Sequence, residues 1–290
     1  MNRQVLAPGV RLLRRSRTVL QLGLAPERRV LLPDSEPVRR TLDHLLRGDP
    51  PPDDPATREV LAALAPVLVD ATGLVAPDLA DGDLAAVALL DPSGYRARVE
   101  ARRRCAVLIA GALPGVDPRP LLSAAGLRVV PADDAPTVAL ALAVGEVDRD
   151  DLDPWVRTGR PHLVVRLLEG TAVLGPFVEP ARTACLRCLD AHQADEDHRA
   201  AVLAAAHARA TRRRSDGVAE PVDSALATLA VAWAVRDLVT HAEGERPSTW
   251  STTVQLSATL SSVTQAEWRR HPACGCNWLP DEQLSRTMAV

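Results

Sequence analysis

Lysine is absent: every one of the 34 basic residues is arginine. Aromatic residues are nearly absent too, at 2% of the 290 positions, with one phenylalanine and one tyrosine. The core must therefore be built from Ala, Val and Leu, and few rings are on offer as stacking platforms for bases. The formal net charge is -3. That balance removes any general electrostatic attraction to nucleic acid, whose binding depends on neutralising phosphates with excess cations. The basic runs Arg102 to Arg104 and Arg212 to Arg214 read as solvated faces or loops. Long apolar runs are missing. The apolar, uncharged stretch SALATLAVAWAV is shorter than the roughly 20 residues that span a bilayer. The opening MNRQVLAPGVRLLRR has neither an apolar signal region nor a small-residue cleavage site. These absences lead us to expect a cytoplasmic protein with no nucleic-acid or membrane partner.

Against this plain background five cysteines stand out. Four form tight pairs, Cys185-x-x-Cys188 and Cys274-x-Cys276. In a reducing compartment such pairs point to metal or redox chemistry rather than disulfides. Tetrahedral zinc takes four ligands of this kind. The two-residue spacer lets one turn present both sulfurs, and Gly275 permits the sharper bend that the one-residue spacer needs. A thioredoxin-like centre would require a strand before and a helix after a single pair, and no second pair. Unrelated buried cysteines are the remaining alternative. We expect a closed, structural zinc site on all four thiolates, one that staples the chain and does not activate water. His192, His198 and His271 lie near the pairs as alternative ligands or neighbours. Cys105 opens an apolar run and reads as a core residue.

Along the chain, VRLL, TVLQLGL and RVLLP read as short strands. A helix follows, capped by Asp34 or Ser35 with Pro37 in its first turn, Val38, Leu42, Leu45 and Leu46 on one face, and Gly48 as its stop. A second helix is expected from about Thr57 to Gly73 with Val60, Leu61, Leu64 and Leu68 on one side. Together they describe a small unit over residues 1–76, similar to a winged helix. Residues 77–100 read as a linker. From residue 101 onward strands alternate with helices, as in an open α/β sheet. The expected strands are CAVLIAG, LRVVP, TVALALAV and the pair in PHLVVRLLEGTAVLGPFV. The clearest helix, 222–240, places Val222, Leu226, Leu229 and Trp233 on one face behind an Asp223 cap, and TWSTTVQLSATLSSVTQAEW returns to strand alternation.

The segment GRPHLVVRLLEGTAVLGPFVEPARTACLRCLDAHQADED, together with HPACGCNW, resembles actinobacterial proteins of the ThiF-like superfamily. These are leader-peptide-binding, cyclodehydratase-associated proteins of thiazole/oxazole-modified microcin pathways. The resemblance implies a winged-helix-like leader-recognition domain over 1–76, and a Rossmann-related ThiF-like α/β domain with its structural zinc over 101–290. It also implies that the front domain takes a leader peptide as an added strand. On this sequence the receiving edge is Arg29, Val30, Leu31 and Leu32, and the opposing face is Leu61, Leu64 and Leu68. The interval between Gly48 and Gly73 is short for the two helices usual there, so one is shortened or lost.

ThiF-type enzymes adenylate a carboxylate and need a glycine-rich turn whose N–H groups meet phosphate. Here that turn is GALPGVDPRP. Gly111 and Gly115 are present, but Pro114, Pro118 and Pro120 remove donors where phosphates require them. Asp133 and Asp134 stand about where a ribose-binding acid would sit, though a turn also explains them. ATP binding and catalysis by this chain alone are therefore not expected. Two functions remain. One is a non-catalytic adaptor presenting a precursor peptide to a YcaO-type cyclodehydratase, which a neighbouring gene for that enzyme would favour. The other is a divergent ATP-dependent adenylating enzyme, which ATP–pyrophosphate exchange would favour. A homodimer is left open.

Overall fold

The computed structural model describes residues 4–70, 82–210 and 216–278. The chain divides into two compact units, 1–100 and 101–290. In the first, β2 (Leu12–Arg14), β3 (Val19–Leu22) and β4 (Val30–Pro33) form an antiparallel sheet in the order β2-β3-β4. Its inner face and two helices share one core of Leu20, Leu22, Leu32, Val38, Leu42 and Leu64. Helix α1 (Glu36–Arg47) begins at Ser35 and ends at Gly48, whose φ of 76° is the left-handed conformation that closes helices. The Asp34 carboxylate is turned to Arg39 and Arg14 rather than to the helix. Leu46 is 55% exposed, and Thr41 takes its expected place on the buried face. Helix α2 (Pro55–Leu64) is capped by Asp54, which accepts the Thr57 N–H at 2.8 Å.

The expected second helix runs on too far: α2 ends at Leu64. Residues Ala65–Val67 tighten into a 3-10 turn containing Pro66, and Leu68–Asp70 becomes β5. It pairs antiparallel with β1 (Gln4–Leu6), an N-terminal strand that the sequence pattern missed. Leu68 is therefore a strand residue opposite Leu6. Gly73, the expected stop, lies outside the described residues. Most of the span expected as a linker is helical: α3 covers Gly82–Leu90 and α4 covers Tyr95–Arg104. Residues 77–81 are outside the described set.

The second unit is built on a seven-stranded sheet in the order β12-β11-β10-β9-β8-β6-β7. Strands β6 (Ala106–Gly111), β7 (Arg128–Val129), β8 (Val138–Val144) and β9 (His162–Leu168) run parallel, and β10 (Thr171–Val178), β11 (Thr252–Leu256) and β12 (Val263–Glu267) add antiparallel neighbours. The central strands are near-continuous Ala, Val and Leu because both of their faces are covered. Leu163, Val165 and Leu167 face one layer with α9 (Ser224–Ala242) and α5 (Arg119–Ala124). Val164 faces the other, with α6 (Arg149–Arg157) and α7 (Leu186–Glu196). Helix α8 (Ala200–Arg209) follows α7 and buries no residue.

Two details differ from expectation. The buried face of α9 is Leu226, Ala227, Ala230, Val231, Ala234, Val235 and Leu238, while Leu229 is exposed. Arg102 is not a solvated charge: it pairs with Glu243, whose side chain is 4% exposed. Arg212 to Arg214 lie outside the described residues. Among the described residues no helix is long and apolar enough to cross a membrane.

Candidate metal centre, nucleotide-type crevice and strand edge

The four paired cysteines converge. Cys185 is the N-cap of α7 and Cys188 sits in its first turn, where the Cys188 N–H bonds the Cys185 carbonyl at 2.9 Å. Cys274 and Cys276 come from the segment after β12, which turns at His271 and enters a short 3-10 turn over Gly275–Trp278. All four are buried. The sulfurs of Cys185 and Cys188 are 3.8 Å apart, those of Cys185 and Cys274 3.6 Å, and those of Cys188 and Cys276 3.4 Å. A disulfide would hold two sulfurs at about 2.05 Å. A tetrahedron with Zn–S near 2.3 Å has edges of about 3.8 Å. The donor set and its spacing therefore fit a tetrahedral thiolate-bound ion, and the residues could hold a metal.

Local electrostatics favour thiolate at part of this set. S–H bonds from Cys185 and the other two cysteines, aided by the His271 main-chain N–H, drive the Cys188 thiol far down. Bonding to Cys185 likewise lowers Cys274, to about 7. Cys185 is pushed up because it keeps the proton it shares with Cys188. The N-terminus of α7 adds its own positive end beside the sulfurs. The expected histidines stand around the site. His192 Nε2 lies 2.8 Å from the Arg269 carbonyl and His271 Nε2 lies 3.1 Å from Asp195, so both fasten α7 to the segment that carries Cys274 and Cys276. His198 is exposed. Cys105 is buried at the foot of β6, where burial raises its thiol pKa.

Next to this centre is a charge network that carries no sequence signature. Arg149, at the start of α6, makes a bidentate pair with Asp190 of α7 at 2.9 and 2.8 Å and reaches Glu146 at 2.6 Å. Glu146 also takes Arg166 of β9 at 2.7 Å. Burial alone would lower the Arg149 pKa, but Asp190 and Glu146 outweigh it and raise it. Burial likewise pushes Glu146 up, and the two arginines bring it below the usual carboxylate range.

The strand order reverses around β6, whose neighbours β7 and β8 lie on opposite sides. In open α/β sheets ligands bind at such a switch point. A cavity of about 670 Å³ opens there, between Gly111 to Pro114 after β6 and Ala141 to Val144 of β8. Its charged lining is acidic, from Glu146, Asp148, Asp151 and Glu220, with no basic side chain among the described lining residues. The turn after β6 is closed by a Leu113–Val116 bridge. The Arg119 N–H at the start of the six-residue α5 is already bonded to the Asp117 carboxylate at 3.1 Å. Asp133 and Asp134 are exposed in a turn and do not line the cavity.

In the first unit β4 is an edge strand among the described residues. Asp34 N–H bonds the Thr18 carbonyl at 2.8 Å, continuing the β3–β4 register. In an antiparallel ladder bonded pairs alternate with unbonded ones. Leu32–Leu20 and Val30–Leu22 are therefore the bonded pairs, and the N–H and C=O of Leu31 point away from the sheet. Val30 and Leu32 are buried and serve the core, while Leu31 is 49% exposed. Arg29 N–H contacts the Pro26 carbonyl at 3.5 Å. Of the expected opposing face, Leu64 is fully buried, and Leu61 and Leu68 are partly buried against the same core. A separate cleft of about 350 Å³ lies by Leu12, Leu20, Leu42 and Leu46.

By sequence, no family model and no curated protein matches the chain. By structure, it matches the heterocyclase TruD with a TM-score of 0.65 at 17% identity, over 99% of this chain and 44% of that one. The fold is that of part of TruD. A heterocyclase in complex with substrate and cofactor matches with a TM-score of 0.60 at 16% identity, over 97% of this chain and 40% of that one. The chain thus spans less than half the length of either heterocyclase. E. coli MccB, solved with AMPCPP and MccA, matches with a TM-score of 0.57 at 10% identity, over 96% of this chain and 99% of MccB. The likeness is of fold alone, and with the parallel-containing sheet it bears out the Rossmann-related α/β architecture expected from the sequence.

Proposed function

We propose that this protein is a non-catalytic adaptor that binds the leader of a ribosomal precursor peptide and presents it to a YcaO-type cyclodehydratase in azoline and azole biosynthesis. The carrying observation is the outer edge of β4, where Leu31 directs a main-chain donor and acceptor away from its own sheet. Strand addition satisfies such groups and draws its affinity from the main chain. On this reading residues 1–76 act as the winged-helix-like recognition domain, with Arg29 to Leu32 as the receiving edge and Leu61 and Leu68 flanking the peptide. Leu64 supports them from the core. The likeness to a heterocyclase and to MccB, which was solved with MccA, is in keeping with a precursor-peptide partner.

The second unit then acts as scaffold, with zinc on Cys185, Cys188, Cys274 and Cys276. Its acidic crevice and proline-bearing turn disfavour a triphosphate, which supports an adaptor over an adenylating enzyme. The test is reconstitution. A cyclodehydratase encoded beside this gene should remove water from its precursor peptide only when this protein is added. Equal cyclisation without it, or ATP–pyrophosphate exchange by this chain alone, would overturn the proposal.

A further inference from the structure

A third cleft, which shares only Glu146 with the acidic crevice, opens on the sheet face that carries α7. It encloses about 350 Å³, at the small end of the range for ligand sites. Its floor includes Arg166 of β9 and Thr253 and Gln255 of β11, with Gln193 of α7 and Trp268 at its sides. Arg166 is 6% exposed, and its Nε–H has no hydrogen-bond partner among the described residues. A buried guanidinium donor left open in this way is unusual, because such groups are nearly always satisfied. Its NH1 is already committed to Glu146.

The surrounding groups define what would satisfy it. The charged lining residues are Arg149 and Arg166 against Glu146 and Asp190, two of each sign, so the cleft has no net attraction for an ion. Thr253 Oγ1 accepts the Trp268 Nε1–H at 2.9 Å, which leaves its own proton to donate inward. Gln193 and Gln255 offer carboxamides, each both donor and acceptor. We propose that this cleft binds an uncharged amide, whose carbonyl oxygen accepts the Arg166 Nε–H once the guanidinium turns toward the cleft, because that atom is closed to solvent as the side chain stands. A peptide bond and a side-chain carboxamide both carry this chemistry. The site does not depend on strand addition at β4.

The experiment uses the full-length protein with 15N-labelled arginine and N-acetylglycinamide as the probe. The Arg166 Nε–H resonance, assigned by its loss in Arg166→Lys, should shift and saturate with weak, millimolar-range affinity. Arg166→Lys retains the charge facing Glu146 but removes the Nε–H, and should weaken probe binding about tenfold, as the loss of one hydrogen bond implies. If that variant fails to fold, the resonance is assigned by its protection from solvent exchange. Gln255→Leu, at an exposed position on β11, then serves as the affinity variant and should also weaken binding. No shift of the Arg166 resonance at saturating probe would mean the donor stays enclosed by the protein, and would overturn the assignment. A larger response to acetate than to the amide would overturn the uncharged class.

Discussion

Replacing Leu31 by proline tests the β4 edge at a single atom. The Leu31 N–H points away from β3, so the substitution removes no bond of the protein's own sheet. The strand already tolerates this chemistry: Pro33 occupies the next outward-facing position. The side chain is 49% exposed, so little burial is lost, and melting should move by only a few degrees. A bound strand would lose more. A residue in a bonded antiparallel pair exchanges both an N–H and a C=O bond with its partner. Proline deletes the first, and its ring pushes the incoming strand away from the second. Two main-chain bonds at a net 0.5–1.5 kcal/mol each amount to about 1–3 kcal/mol, or roughly five- to 150-fold in Kd. Fluorescence polarisation with a leader peptide from an adjacent precursor gene reads this directly. Leu31→Ala, which keeps the N–H, is the control and should bind nearly as the parent does. A folded Leu31→Pro protein with unchanged affinity would refute the reasoning. The cleft beside Leu12, Leu20, Leu42 and Leu46 would then be the next place to look.

Further outcomes follow from the second unit. Metal analysis should find one zinc per chain, and Cys274→Ser should release it. Losing about 3 kcal/mol of cross-link stabilisation would lower Tm by roughly 6–12 °C; zinc-free protein from a chelator-free preparation would contradict the site. Calorimetry with Mg-ATP should give little or no binding, because every charged side chain among the described lining residues of the crevice is a carboxylate; low-micromolar affinity would contradict this. His162 is buried, and desolvation lowers its pKa to about 4 from an ordinary 6.5. The unfolded chain therefore binds the extra proton first as pH falls. Its stabilising contribution is full above about 6.5, declines below that, and is gone once pH has passed about 4, a loss of about 3 kcal/mol. His162→Gln should flatten this part of the stability–pH curve, and an unchanged curve would show that the ring titrates freely.

Much of this arrangement was legible in the sequence where a residue acts through its neighbours along the chain. The β3–β4 hairpin, the Gly48 stop, the Asp223 cap and the strands from 106 to 178 all follow from local pattern and turn chemistry. The cysteine pairs were legible because tetrahedral binding of a metal by thiolates favours such spacing. The α9 face was misread because its buried surface is largely alanine, at 227, 230 and 234, while a pattern reading weights Leu229 and Trp233. Leu68 was misread because one more apolar residue at helical spacing looks the same whether the chain continues or turns at Pro66. The Arg149–Asp190 pair joins residues 41 positions apart, and no periodicity announces a partner at that distance. Leu31 was expected at the edge, but its outward N–H and C=O depend on the register with β3, which only the pairing fixes.

The metal centre also has a history in time. Cys188 and Cys276 meet across 88 positions of chain. At a synthesis rate of about 5–20 residues per second, Cys185 and Cys188 leave the ribosome roughly 4–18 s before their partners exist. Through that interval the first pair is a bare dithiol, open to oxidation or to capture by whichever metal is at hand. A metal ion could be enclosed by all four sulfurs only after β11 and β12 have been made. Metal supply and thiol protection during translation therefore bear on the yield of correctly assembled protein, independently of how tightly the finished site holds its ion.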